Sequence, residues 1–140
     1  DEAGGHIYIY TIYGMYLCFN IVTEMKGTLG AVLIRALEPI DGIEYMYENR
    51  YKKPYKNPSK KEIINLTNGP AKFVMAFNIK KEGLYGAYLV NDERIWVEDA
   101  PTIPKEQIVK TKRVNIDYAE KGKDYLLRYY IKDNPFVSKR

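Results

Sequence analysis

The stretch HIYIYTIYGMYLCFNIV, residues 6–22, constrains this chain more than any other. Two apolar and aromatic runs are broken by a single glycine, Gly14, and Tyr8, Tyr10, Tyr13 and Tyr16 crowd the break. The pattern predicts two strands folded about a tight turn with tyrosine at its tip. Ile7 and Ile9 fall on one face and Tyr8 and Tyr10 on the other, as in a strand covered on both sides. Register matters because a one-residue slip inverts every side chain. A two-residue turn at Tyr13-Gly14 sets Tyr10 opposite Leu17 and puts Asn20 on the other face. A three-residue turn, Tyr13-Gly14-Met15, sets Tyr10 opposite Cys18 and Tyr8 opposite Asn20. The residues alone leave both open.

Beyond the hairpin, a two-glycine turn over 24–30 leads into an aliphatic strand, 31–37, that carries Arg35 in its middle. An arginine embedded there must be ion-paired or pointed at a ligand. After Pro39 the spacing of Ile40, Ile43 and Tyr47 predicts a helix ending near Tyr51. Residues 50–61, RYKKPYKNPSKK, are the most basic segment and read as a loop, either a solvated lysine surface or one that tracks phosphates. The run LTNGPAK, 66–72, opens a second amphipathic helix, with Lys72 beside the amides that follow an Asn-Gly turn. The remainder is β-rich, with strands expected over 87–90, 94–98, 108–117 and 125–131. Together these elements predict an α+β fold: one domain, residues 1–140, built on a curved, mostly antiparallel sheet that carries the tyrosine-tipped hairpin, with about two helices packed outside.

At 140 residues a core can form without staples. Cys18 is the only cysteine and His6 the only histidine, so neither a disulfide framework nor a metal centre is expected, and no cofactor. The single thiol fits a reducing cytoplasm. With no leader and no long apolar run, no membrane segment is expected, and the chain opens into a strand as though its beginning were missing. Fourteen tyrosines and a net charge of +4 favour a surface that stacks on and attracts a polyanion. There is no second histidine for a base-orienting pair and no Gly-x-Ser-x-Gly elbow. The residues by themselves point to a nucleic-acid-binding module.

Four blocks resemble the alkyladenine (3-methyladenine) DNA glycosylase family: YIYTIYGMYLCFNI at 8–21, AVLIRALEP at 31–39, LTNGPAK at 66–72 and NPFVS at 134–138. The resemblance implies an enzyme of base excision repair that binds double-stranded DNA as a monomer, in the cytoplasm or nucleoid, or in a nucleus. It flips alkylated or deaminated purines out of the duplex and hydrolyses the N-glycosidic bond with an activated water. Residue by residue, Tyr13 resembles the wedge that enters the minor groove, Tyr10 the ring that stacks on the extruded base, and Asn20 the amide that probes its edge. Arg35 resembles the residue that positions the water and the flipped nucleotide's phosphate. The main-chain carbonyl of Val114 resembles a further water ligand, and the Met15 and Tyr16 amides with Lys72 resemble phosphate contacts. If Tyr10 and Asn20 address one base they share a face, which selects the three-residue turn with Gly14 left-handed and Tyr13 outward.

One departure is large. The family carries a Glu-Thr-Glu-Ala-Tyr type motif upstream of the hairpin, and its glutamate is the general base; this sequence lacks it, and Glu2 lies too close to the hairpin to substitute. The expectation is that the segment precedes the sequence given. The alternatives are a module that binds lesions or bent duplex without cleaving, and a tyrosine hairpin used as a protein–protein interface.

Overall fold

The computed structural model describes residues 3–139, so Glu2 lies outside the described residues. The chain forms two compact units, Asp1–Glu98 and Asp99–Arg140.

In the first unit β1 (Ile7–Ile12) and β2 (Tyr16–Val22) form the hairpin, and β3 (Ala31–Leu33) adds antiparallel to β2. Tyr8 pairs with Asn20, Tyr10 with Cys18 and Ile12 with Tyr16, which is the register of the three-residue turn. Tyr13 and Gly14 both have positive φ, 51° and 69°, and the Met15 N–H donates to the Ile12 carbonyl at 3.2 Å. The backbone therefore turns over two left-handed residues, as hairpin twist prefers, while Met15 is the extra residue that shifts the register by one.

The alternation of the hairpin then sorts its side chains. Ile7, Ile9 and Phe19 are buried with Phe73, Val74, Ile79 and Leu89 in the principal core. Phe73 lies on α3 (Pro70–Ala76), and its ring meets that of Phe19 edge-on at 5.9 Å. Pro70 occupies the first turn of that helix, where its missing N–H is not needed. The same helix gives Ala76 to a second cluster with Met46, Tyr47 and Leu66, where Met46 and Tyr47 come from α1 (Ile43–Tyr51). One helix thus fastens the hairpin's inner face to the rest of the unit.

The α+β class and the antiparallel pairing hold, and the described residues contain four helices rather than about two. The additional ones are α2 (Lys60–Ile64) and α4 (Lys81–Leu84). α2 closes the basic segment that the sequence reads as a loop, and it starts at a capping box in which the Ser59 hydroxyl accepts from the Glu62 N–H and the Glu62 carboxylate from the Ser59 N–H. α1 begins at Ile43, after Gly42 at φ 71°, and not at Pro39; Ile40 is exposed ahead of it. Residues 87–90 form no strand beyond one bridge, His6 to Tyr88, and 94–98 form none. There Asp92 draws Arg94 back through its own carboxylate, which turns the chain before a ladder can grow.

The second unit holds a separate antiparallel ribbon of β4 (Ile108–Thr111) and β5 (Arg128–Ile131), shorter at both strands than the sequence predicts. The buried Arg128 guanidinium lies 4.6 Å from the Tyr130 ring centroid and donates to the Lys139 carbonyl. Among the described residues no helix is long and apolar enough to cross a membrane, and no cluster of ligand residues suits a metal.

Candidate nucleic-acid interface

Opposite the core face of the hairpin lie Tyr8, Tyr10, Cys18 and Asn20, joined by Leu33 of β3 through its pairing with Asn20. Tyr8 and Tyr10 stand with ring centroids 5.8 Å apart, and Tyr85 meets Tyr8 edge-on at 5.8 Å. Asn20 is only 5% exposed. Its amide nitrogen donates to the Tyr8 carbonyl at 3.2 Å and the Cys18 carbonyl at 3.3 Å. Both neighbours are acceptors, so the nitrogen must face them and Oδ1 must face away from the strands.

Arg35 follows β3 by two residues, in a segment still tied to the sheet because the Ile34 N–H donates to the Phe19 carbonyl at 3.0 Å. Its charge is felt at Cys18. Burial pushes the Cys18 thiol up, while a hydrogen bond with Tyr10 and the Arg35 guanidinium oppose that rise. Tyr10 and Cys18 thus face each other on this side of the hairpin, as the three-residue register requires, with the Arg35 charge within reach of Cys18.

Beyond this floor the tip is bare. Tyr13 is 81% exposed and Met15 70%, whereas Tyr16 is partly covered. The Met15 N–H is held by the turn bond to Ile12, so a phosphate there would share it.

The segment after Arg35 is locked to the LTNGPAK run by two bonds: the Leu37 N–H donates to the Thr67 carbonyl at 3.1 Å, and the Thr67 hydroxyl donates to the Leu37 carbonyl. Lys72, two residues into α3, donates to Asn68 Oδ1 at 2.7 Å and Asn65 Oδ1 at 3.1 Å. Burial holds its pKa below the ordinary lysine value, and the nearby Arg50 charge adds to that. Arg50 itself donates to the carbonyls of Leu66 and Asn65. Arg50, Lys61 and Lys72 line a cavity of about 370 Å³ together with the Glu62 carboxylate, and the hydrogen-bond partners of Arg50 and Lys72 are neutral oxygens.

Val114 belongs to the second unit, half-buried in the loop between β4 and β5 and followed by Asn115 at φ 57°. Asn134 of the NPFVS block, in the same unit, accepts from the Phe136 N–H at 2.9 Å and shapes the turn there.

Comparison with known proteins matches the sequence over nearly its whole length. Residues 2–135 fit the family described as Methylpurine-DNA glycosylase (MPG). The chain belongs to that family. Among curated relatives, a protein of Alkaliphilus oremlandii is 53% identical over 136 residues, covering 97% of this chain and 66% of the relative. A Clostridium perfringens protein is 50% identical over 137 residues with the same two coverages, and one from Clostridium acetobutylicum is 47% identical over 134 residues, covering 96% and 64%. Each carries the name "Putative 3-methyladenine DNA glycosylase". The chain spans just under two thirds of the length of these relatives.

Proposed function

We propose that the intact protein is a DNA repair glycosylase that flips alkylated or deaminated purines out of duplex DNA and hydrolyses their N-glycosidic bond with an activated water. The observation that supports this reading is the hairpin, with an exposed tyrosine at its tip and Tyr10 and Asn20 on one face of its strands. Tyr13 enters the minor groove and fills the stack that the extruded base vacates. Tyr10 stacks on that base, a contact worth about 1–3 kcal/mol. Asn20, its nitrogen fixed by two carbonyls, tests the base edge with Oδ1. Arg35 and the Val114 carbonyl orient the water and the nucleotide's phosphate, and Lys72 with the Met15 and Tyr16 amides hold neighbouring phosphates. A carboxylate outside this chain takes the proton from the water as its oxygen attacks C1′ and the purine leaves. In this reading residues 1–140 act as one purine-DNA-glycosylase-like domain, monomeric on its duplex.

The test is incubation of the intact gene product with duplexes containing hypoxanthine, ethenoadenine or 3-methyladenine. Abasic sites are the expected product. Tight lesion binding with no release from any of the three would leave a recognition module in place of an enzyme.

A further inference from the structure

Residues 50–61 carry six cations and no acid, against +4 for the whole chain, so the remaining residues together sum to −2. A charge run of this kind is ordinarily a mobile, solvated loop, but here its conformation is fixed. Lys53 binds Glu62 at 2.7 Å, and the same carboxylate accepts from the Tyr47 hydroxyl at 3.0 Å and the Ser59 N–H at 2.8 Å. The Tyr51 hydroxyl donates to the Glu62 carbonyl at 2.7 Å. The Tyr55 ring stands edge-on to the buried Tyr47 at 5.3 Å. These bonds tie the segment at its start, middle and end. Lys52 and Lys56 on the braced loop and Lys60 and Lys61 at the start of α2 remain exposed, and none of them has a carboxylate within 4.0 Å among the described residues. Lys61 also lines the cavity that holds Arg50 and Lys72, beside the Glu62 carboxylate that Lys53 already pairs.

We propose that this loop is a preformed contact for the backbone of duplex DNA, separate from the hairpin and indifferent to the lesion. The inference rests on the glycosylase reading for its choice of polyanion. A rigid array of lysines loses little freedom on binding, and each phosphate it neutralises releases counterions. The loop supplies affinity for any duplex, and the hairpin supplies discrimination.

The experiment compares the intact protein with a Lys52→Glu, Lys56→Glu, Lys60→Glu variant and with a charge-matched control, Lys105→Glu, Lys121→Glu, Lys132→Glu. Binding to undamaged and hypoxanthine-containing duplex is measured from low to moderate salt, beside binding to phosphatidylserine vesicles. The expected result is that the loop variant weakens for both duplexes by about tenfold or more near 0.15 M salt, with a salt slope shallower by about two to three, and the control changes far less. Their ratio, the lesion discrimination, stays the same. An unchanged slope, an equal loss in the control, or a loss confined to vesicles would overturn the proposal. If the wild-type protein still releases hypoxanthine in that case, only the loop assignment fails; if it binds no duplex at all, the glycosylase reading fails with it.

Discussion

The hairpin and the segment from α1 through the basic loop are both rich in tyrosine, and they use it in opposite ways. At the hairpin the rings face outward: Tyr13 is 81% exposed and Tyr8 42%. Along α1 they turn inward, with Tyr47 1% exposed, packed on Tyr51 at 4.7 Å and bonded to Glu62. Backbone geometry makes the difference. A strand offers every second residue to its outer face, and a left-handed turn stands Tyr13 clear of both strands, whereas helical spacing brings Tyr47 and Tyr51 onto one side, where the Glu62 carboxylate receives the Tyr47 hydroxyl and the Glu62 main-chain carbonyl the Tyr51 hydroxyl. A count of tyrosines therefore does not locate a binding surface; the partner of each hydroxyl does.

The contrast is broken most easily by truncation. Tyr47→Ala is expected to lose about 3–5 kcal/mol of stability in urea unfolding, because a fully packed ring and its hydroxyl bond disappear together. Tyr13→Ala should stay within about 0.5 kcal/mol of wild type in the same assay. Equal costs at the two positions would remove the distinction. On DNA the order reverses: Tyr13→Ala is expected to weaken lesion-duplex binding and base release by about 10- to 100-fold, corresponding to roughly 1–3 kcal/mol of lost stacking, whereas Tyr47→Phe should leave discrimination between damaged and undamaged duplex intact.

Backbone strain at the tip supplies a smaller effect. Gly14 has φ 69° and an added Cβ would meet nothing within 4 Å, so Gly14→Ala tests conformation alone. It should destabilise the fold by about 1 kcal/mol, readable as a shift in the unfolding midpoint.

The smallest effect is a pH slope at the brace. Hydrogen bonds from Lys53, Ser59 and Tyr47 hold the Glu62 carboxyl at about 2, below its ordinary 4.5. Its folded pKa is depressed, so its contribution is fully present above about pH 4.5 and is lost as pH falls toward 2. Asp92, held at about 2 by Arg94, titrates in the same window. The comparison must accordingly be wild type against Glu62→Gln, in which the slope of stability between pH 2 and 4.5 is expected to flatten. An identical slope would show that the brace carries no titration.

Much of this arrangement was legible in the residues. Gly14 between two aromatic runs announces the hairpin, whereas the residues leave its register open and only the resemblance chooses it, through Tyr10 and Asn20 addressing one base. The Met15 bulge was not legible, because the φ signs of a two-residue turn and the register of a three-residue turn coexist only when one residue is set aside. α2 was hidden in a lysine run, although Ser59-x-x-Glu62 is the capping signature that marks it. Residues 87–90 and 94–98 have the alternation of strands, but their pairing stops at a single bridge to His6 and a few main-chain bonds, and the extent of pairing is a tertiary fact that no local pattern contains. Arg35 could be read from its position as either paired or aimed at a ligand. The structure adds that Arg35 follows the sheet-bound Ile34 and that its charge is felt at Cys18, opposite Tyr10.

The account turns on the face of Tyr10 and Asn20 holding a flipped base while Tyr13 replaces it in the stack. Its most direct test is single-turnover release of hypoxanthine from duplex DNA by the intact wild-type protein and by Tyr13→Ala. The account predicts abasic sites from the wild type and a rate lower by about tenfold or more in the variant. Equal rates from the two proteins, or no release by the wild type of hypoxanthine, ethenoadenine or 3-methyladenine, would contradict it.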